Sequence, residues 1–172
     1  VSNGSALDAY SPVRALAVND VLTVATGGKH SCAAYTNKSV RCWGLGTSGQ
    51  LATATDSGDA DMASHDTPTV AAGVTDSWKL ALGANHSCSI TLTGSIPLDG
   101  GTIKCWGDNK YGQLGDGTTT TSGKPVAAQG ITDAIDVSLG ARHTCAVLSD
   151  HTVTCWGDNA FGPVSYTHLR AH

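Results

Sequence analysis

Three segments of this chain each combine one histidine with two cysteines, side chains that can bind a metal, attack a substrate or form a disulfide. Each segment contains His-x-Cys, a short polar turn and then Cys-Trp-Gly. The repeated positions are His30, Cys32, Cys42, Trp43 and Gly44; His86, Cys88, Cys105, Trp106 and Gly107; and His143, Cys145, Cys155, Trp156 and Gly157. Two cysteines and a histidine supply three of the four ligands of a zinc site, and two cysteines alone supply a disulfide.

The cysteine spacing favours the disulfide over the zinc site. No segment offers a fourth zinc ligand, whereas Cys32 and Cys42 are 10 residues apart, an even number. Even spacing across a tight hairpin places both Cβ atoms on one face of the sheet, opposite each other. Cys145 and Cys155 have the same spacing, and the repeat places Cys88 and Cys105 at the equivalent positions of the second unit. The repeat therefore predicts the disulfides Cys32–Cys42, Cys88–Cys105 and Cys145–Cys155, with no metal and no cofactor.

The histidines favour an architectural role over catalysis. His30, His86 and His143 recur in the same context, whereas a catalytic site needs one histidine that differs from the others. We expect them to form hydrogen bonds between neighbouring units. The chain also shows no nucleophile elbow, phosphate loop or paired carboxylates, so we predict no catalytic residues and no enzyme activity.

Short strands must position these side chains. Apolar residues alternate at 78–82 and 135–139, and more loosely at 21–25, before each histidine. The His-x-Cys and Cys-Trp-Gly segments then predict a hairpin, followed by a Gly-rich loop such as 108–117. The histidines recur every 56 to 57 residues, and several short strands per unit without a helical pattern are typical of a propeller blade.

The repeat resembles that of the regulator of chromosome condensation family. The resemblance rests on Gly-x-x-His-x-Cys…Cys-Trp-Gly-Asp-Asn-x-x-Gly, with its best copies at 83–117 and 140–162. It implies an all-β fold, a partial β-propeller of about three blades out of an expected seven. The blades would fill residues 1–162, with units centred on 30–51, 86–117 and 143–162. The paired cysteines resemble exported bacterial versions of the repeat.

Both ends of the sequence depart from this repeat. The chain starts inside a preceding unit, so we expect a fragment. After Gly162 the repeat should continue Gln-Leu-Gly, but residues 163–172 differ, and 164–172 resemble a translated sequencing adapter. We expect this tail not to be native.

Composition excludes several classes of partner. The net charge of −4 provides no basic surface for nucleic acid, and no apolar run is long enough to span a membrane. Six cysteines in regular pairs are typical of an oxidising compartment, so we expect an extracellular or cell-surface location.

Four further features have alternative interpretations. The Cys-Trp-Gly tryptophans either pack between units or form an exposed aromatic ring. Asp108, Asn109 and Asp116 either bind calcium or simply form turns, for which these residue types are typical. Glycosylation sequons begin at Asn3, Asn37 and Asn85 and matter only in a eukaryotic secretory pathway. The longer hairpin loop 94–101 of the second unit is an insertion of the kind that often lies on a binding rim.

The leading functional hypothesis is a non-enzymatic, exported module that binds another protein, of unknown identity, through its rim loops. One alternative is a guanine-nucleotide exchange factor for a small GTPase, although no motif for that activity is present. Another is a structural or adhesive segment of a larger surface protein. A shared fold alone cannot choose among these.

Overall fold

The chain folds into two antiparallel sheets, of four and seven strands, which together form three stacked blades of a β-propeller. This is a computed structural model, and it describes residues 9–12, 14–15, 18–55, 58–92 and 100–164. Blade 1 contains β1 (Val21–Thr26), β2 (His30–Tyr35), β3 (Val40–Gly44) and β4 (His65–Val70). Blade 2 contains β5 (Ser77–Leu82), β6 (His86–Leu92), β7 (Gly101–Gly107) and β8 (Ser122–Ala127). Blade 3 contains β9 (Ala134–Leu139), β10 (His143–Leu148) and β11 (Val153–Gly157).

The first strand of each blade is the alternating segment of the sequence. The strands expected at 21–25, 78–82 and 135–139 are confirmed as β1, β5 and β9, each one residue longer. Each pairs antiparallel with the strand that starts at the histidine. Blades 2 and 3 are joined by a single backbone pair, Gly101 with Ala134. The all-β, partial-propeller prediction is therefore confirmed.

Side-chain turns close the short central hairpins. In blade 1, Asn37 Oδ1 accepts hydrogen bonds from Ser39 N at 3.1 Å and from Ser39 Oγ at 2.7 Å. In blade 3, Asp150 Oδ1 accepts equivalent bonds from Thr152. Asn and Asp favour such turns because the carboxyl or amide oxygen reaches the backbone two residues on. The turn sets the register that brings each cysteine opposite its partner.

The glycine of each Cys-Trp-Gly segment is required by close backbone contact. Gly107 has φ +112°, and a Cβ atom there would lie 2.5 Å from the Asn85 carbonyl oxygen. That same carbonyl accepts a hydrogen bond from Asp108 N at 2.9 Å. Because a side chain would clash, only glycine allows the end of β7 to approach the turn that precedes His86.

The hydrophobic core lies between blades rather than within each one. Leu80, Leu82 and Trp106 of blade 2 pack into the cluster formed by blade 1. Val137 and Trp156 of blade 3 likewise pack against blade 2. A blade therefore buries its apolar faces only against its neighbours, as repeat architectures do.

In the described ranges, the regular secondary structure consists of these strands. No helix in those ranges is long and apolar enough to cross a membrane. Most of the loop 94–101 and the end of the tail, 165–172, lie outside the described residues. Within the tail, Val164 is buried and its N donates to Asn159 Oδ1 at 2.9 Å. Leu114 N donates to Asn109 Oδ1 at the same distance in blade 2. The adapter origin of the tail stays a prediction.

Candidate functional site: the contacts between blades and the upper rim

The six cysteines lie in three cross-strand pairs. The structure joins them by disulfides at Cα–Cα distances of 4.1 Å: Cys32–Cys42, Cys88–Cys105 and Cys145–Cys155. The first two pairs are fully buried, and none of the described cysteines is free. Each disulfide ties together the two central strands of its blade, next to the histidine that begins the hairpin.

A four-residue hydrogen-bond cluster joins blade 1 to blade 2. His30 Nε2 lies 2.8 Å from Ser87 Oγ, which in turn donates to the Gln50 carbonyl oxygen at 2.9 Å. Trp106 Nε1 donates to the same carbonyl at 2.8 Å. His30 and Gln50 belong to blade 1 and its loop, and Ser87 and Trp106 to blade 2. The cluster therefore holds the two blades in one register.

The same cluster recurs between blades 2 and 3. His86 Nε2 lies 3.1 Å from Thr144 Oγ1, which donates to the Gln113 carbonyl oxygen at 2.9 Å. Trp156 Nε1 donates to that carbonyl at 3.0 Å. A Cβ atom on Gly115, which has φ +74°, would lie 2.7 Å from Trp156 Nε1. The glycine after Leu114 thus makes room for the tryptophan of the next blade.

The cluster fixes the tautomer of its histidine. The Ser87 hydroxyl has one hydrogen, which it donates to Gln50, so its oxygen must accept from His30 Nε2–H. The other ring nitrogen, Nδ1, is bare and buried, with no hydrogen-bond partner in either His30 or His86. Both rings are therefore closed to a substrate and suited to remain neutral.

Burial lowers the pKa of both interface histidines. It lowers the pKa of His30 to about 4. The pKa of His86 is also lowered to about 4, chiefly by burial, with smaller contributions from His30 and His143 that the nearby Asp108 opposes. Protonation would put a charge and an unpaired N–H into the contact between blades.

Sequence reasoning missed the acceptors of this cluster. Ser87 and Thr144 occupy the variable position of His-x-Cys. The hydroxyl group that they share is the sequence feature that could have identified them as members of the cluster. The acceptor itself is a backbone carbonyl, at Gln50 or Gln113, and a carbonyl has no residue type to recognise. The tryptophans were expected to pack or to form an exposed ring. Trp106 is fully buried, and Trp43 and Trp156 are partly exposed.

The Gly-rich loops and the turns before the histidines lie together at one end of the blades, here called the upper rim. In blade 2 the loop is organised by Asn109, which is fully buried. Its Nδ2 donates to Asp116 Oδ1 at 3.1 Å and to the Thr118 and Thr120 carbonyls. An amide nitrogen therefore occupies the position where the calcium interpretation needs an oxygen.

No described group of three or more histidine, cysteine or acidic side chains is arranged to hold a metal ion.

The asparagines of the glycosylation sequons lie in different places. At the end of blade 1 opposite the upper rim, Asn37 is exposed on its turn. Asn85 has its sequon residues His86 and Ser87 buried between blades. Asn3 lies outside the described residues.

An arginine and a tyrosine meet on the upper rim where blades 2 and 3 join. The Arg142 guanidinium stacks 4.9 Å from the centre of the Tyr111 ring, and its Nη1 donates to Tyr111 Oη at 3.1 Å. Asp158 Oδ2 lies 3.9 Å from the same nitrogen. The pair thus presents an exposed aromatic and a cation held in a fixed position.

The repeat has relatives of known sequence. Two models of the regulator of chromosome condensation (RCC1) repeat match the chain, one over residues 101–147 and the other over residues 21–50 and 134–162. The human E3 ubiquitin-protein ligase HERC2 is 38% identical over 69 residues, which make up 39% of this chain and 1% of HERC2. The ultraviolet-B receptor UVR8 of Arabidopsis thaliana is 30% identical over 156 residues, 87% of this chain and 33% of UVR8.

Solved structures agree on the fold. Yeast RCC1 (Prp20), in its complex with Kap60, superposes with a TM-score of 0.69 at 19% identity. The match covers 85% of this chain and 34% of Prp20. The chain thus spans about a third of UVR8 and Prp20, and far less of HERC2. On the repeat matches and the blade geometry together, the chain belongs to the RCC1 repeat family of β-propellers.

Proposed function

We propose that this chain is a non-enzymatic module that binds another protein through its upper rim, outside the cell. The observation that carries the proposal is the Arg142–Tyr111 pair, a cation and an aromatic ring fixed on the surface at a joint between blades. Tyrosine and arginine are enriched among the residues that dominate binding energy in protein interfaces. Because the pair is already ordered, a partner pays little entropy to engage it.

The scaffold below the rim supports this function. Each disulfide holds the two central strands of one blade together, and the two hydrogen-bond clusters fix each blade against the next. The rim residues, in contrast, differ from blade to blade. Lys29, Asn85 and Arg142 hold the same position before the histidine, as do Leu45, Asp108 and Asp158 after the glycine. A rigid frame with variable loops is the usual arrangement for recognition. Among relatives of the same fold, yeast Prp20 binds the protein Kap60.

The rim proposal can be tested by site-specific photo-crosslinking in cells that produce the chain. A photoreactive amino acid at Lys110, exposed beside Tyr111, should give one discrete protein adduct. The matched control is the same amino acid at Thr36, exposed at the opposite end of blade 1. Arg142→Ala should remove the Lys110 adduct. Equal adducts from both positions, or an adduct that survives Arg142→Ala, would contradict the proposal.

The extracellular location is supported by the three disulfides, which are typical of oxidising compartments. Its test is the redox state of the cysteines in the producing cell. Maleimide added during lysis should label none of them before reduction and all of them afterwards. Immediate labelling of the unreduced protein would refute export, and it would leave the rim experiment unaffected.

A further inference from the structure

The polar contacts of the Arg142 guanidinium with the described residues all use one nitrogen. Nη1 donates to Tyr111 Oη at 3.1 Å, and the same nitrogen lies 3.9 Å from Asp158 Oδ2. A guanidinium carries five N–H donors, which are spread over Nε, Nη1 and Nη2 in a planar fork. The Arg142 side chain is 57% exposed. Its remaining donors, on Nε and Nη2, are therefore available to a group outside the chain.

Tyr111 supplies a further donor beside this guanidinium. Its Oη accepts the hydrogen bond from Arg142, so the hydrogen of its own O–H is left for another acceptor. A hydroxyl that accepts from a cation is polarised and becomes a stronger donor. The backbone below is fixed, because Tyr111 N donates to Gln113 Oε1 at 2.9 Å. The pair thus presents N–H and O–H donors side by side on an ordered loop.

The nearest carboxylates are recessed and do not neutralise this cation. The Asp158 side chain is 22% exposed, and its Oδ1 accepts a hydrogen bond from Ala160 N at 3.0 Å. Asp108 is partly buried, and its Oδ1 accepts from Lys110 N at 3.4 Å. The Lys110 side chain is exposed beside Tyr111. A partner that approaches this part of the upper rim therefore meets cations first.

The position of Arg142 is open in a blade that has a neighbour on each side. Asn85 holds the same position in blade 2, which lies between blades 1 and 3, and Asn85 is still partly exposed. Tyr111 and Arg142 come from blades 2 and 3, both of which are present at this joint. The exposure of the pair is therefore a property of the joint and does not depend on an uncovered blade face.

The donors restrict what can cover the pair. When a partner excludes water from this surface, each buried donor needs an acceptor, and a buried cation needs an opposite charge. An apolar surface supplies neither. The two oxygens of a carboxylate match two parallel N–H groups of a guanidinium fork, and one oxygen can accept a further hydrogen bond from a hydroxyl.

We infer that Arg142 and Tyr111 form a carboxylate-binding site, in which the partner protein docks the side chain of an aspartate or a glutamate. The guanidinium fork of Arg142 binds both oxygens, and the Tyr111 hydroxyl donates to one of them. Lys110 adds a second cation, so the partner segment around this carboxylate is acidic. This inference rests on the proposed binding function of the upper rim and assigns the chemistry of its partner.

The first test places an amine at the site. A water-soluble carbodiimide joins an amine to a carboxylate that it contacts, and Arg142→Lys supplies that amine while it keeps the positive charge. Carbodiimide treatment of cells that produce Arg142→Lys should join residue 142 to an aspartate or glutamate of the partner, as located by mass spectrometry of the linked peptides. The matched control is Thr36→Lys, at an exposed position at the opposite end of blade 1, which should give no such link.

The second test measures affinity for the partner that is recovered as the photo-adduct at Lys110. Tyr111→Phe removes the hydroxyl and keeps the ring, and it should weaken binding roughly tenfold because a hydrogen bond to a charged group is lost. Tyr10→Phe removes a hydroxyl at a residue that is 97% exposed, and it should leave the affinity unchanged. Added salt should weaken the complex of the unaltered chain, since the site is exposed in the free protein.

The outcomes separate this site from the rim function on which it rests. A photo-adduct at Lys110 without a carbodiimide link at residue 142 would overturn the carboxylate site and leave the rim function in place. A link to a phosphorylated residue, or an unchanged affinity in Tyr111→Phe, would overturn it in the same way. The absence of both adducts would refute the rim function, and the carboxylate site with it.

Discussion

Mild acid should weaken the propeller through the two buried histidines. His30 and His86 each donate one ring hydrogen to the next blade and keep a bare, buried Nδ1. The pKa of each ring lies near 4 in the folded chain, against an ordinary value of 6.5. The unfolded chain therefore binds protons at a higher pH than the folded chain does, and acidification favours unfolding.

The pH window follows from these two pKa values. Well above pH 6.5 these histidines are neutral in both states, and their contribution to the stability is fully present. Between pH 6.5 and about 4, the free energy of unfolding should fall by up to about 1.4 kcal/mol per pH unit for each histidine. Below about pH 4 the folded rings also take up protons, and the loss levels off at about 3 kcal/mol each.

Carboxylates act in a lower window and can be separated from this effect. Hydrogen bonds hold the pKa of Asp61 and Asp150 below the ordinary value of 3.8, as does the set of bonds around Asp116 against the opposing effect of burial. Groups of this kind stabilise the folded chain above that value and lose their contribution as the pH falls below it. A slope between pH 6.5 and 5 therefore belongs to the histidines.

The assay is urea unfolding at a series of pH values with the disulfides intact. His86→Gln keeps an amide N–H for Thr144 but cannot titrate, so it should remove about half of the slope. The control is His151→Asn, at an exposed turn where φ is +65° and asparagine is tolerated. A flat profile between pH 7 and 5 would refute the reasoning, as would an unchanged slope in His86→Gln.

Three further changes test individual contacts, all by urea or thermal unfolding. Trp106→Phe removes the donor to the Gln50 carbonyl and should cost about 1 to 2 kcal/mol, while Trp43→Phe, at the partly exposed tryptophan of blade 1, should cost less. Equal losses would contradict a stabilising bond from Trp106 to the neighbouring blade. Asn109→Asp puts a carboxylate against Asp116 and should destabilise by about 2 to 3 kcal/mol without calcium rescue; recovery in calcium would contradict the loop geometry. Reduction of the disulfides should cost about 2 to 3 kcal/mol per bond, and no change in the midpoint would show that they do not constrain the unfolded chain.

Much of the fold follows from periodicity in the sequence. Alternating residues located the three first strands, and the even cysteine spacing in blades 1 and 3 set the register of those two hairpins, because side chains on a strand alternate between faces. The repeat length then indicated stacked blades. These features depend on residue type and spacing, which a sequence displays directly.

The contacts between blades could be predicted only in outline. The recurrence of His86 indicated a bond to a neighbouring unit, but not its partner. That partner depends on which blade faces Thr144, and on the backbone carbonyl of Gln113, to which no side-chain pattern points. The direction of the Asn109 amide was equally hidden, because asparagine serves both calcium loops and self-bonded loops. Such details depend on tertiary packing rather than on local pattern.

The use of a backbone carbonyl explains how one frame supports different rims. The hydrogen-bond clusters require a histidine, a hydroxyl residue and a tryptophan, and their carbonyl comes from a buried glutamine, Gln50 or Gln113. The side-chain oxygen of that glutamine accepts from a backbone N–H two positions earlier, Ser48 N at 2.8 Å or Tyr111 N at 2.9 Å, so it does not depend on the side chain there. The neighbouring rim position can therefore change from Ser48 to Tyr111 without loss of the bond that holds the blades together. Because stability and rim chemistry lie on different atoms, substitutions on the rim alter recognition while the contacts between blades stay intact. This separation of stability from rim chemistry is what the proposed binding function requires.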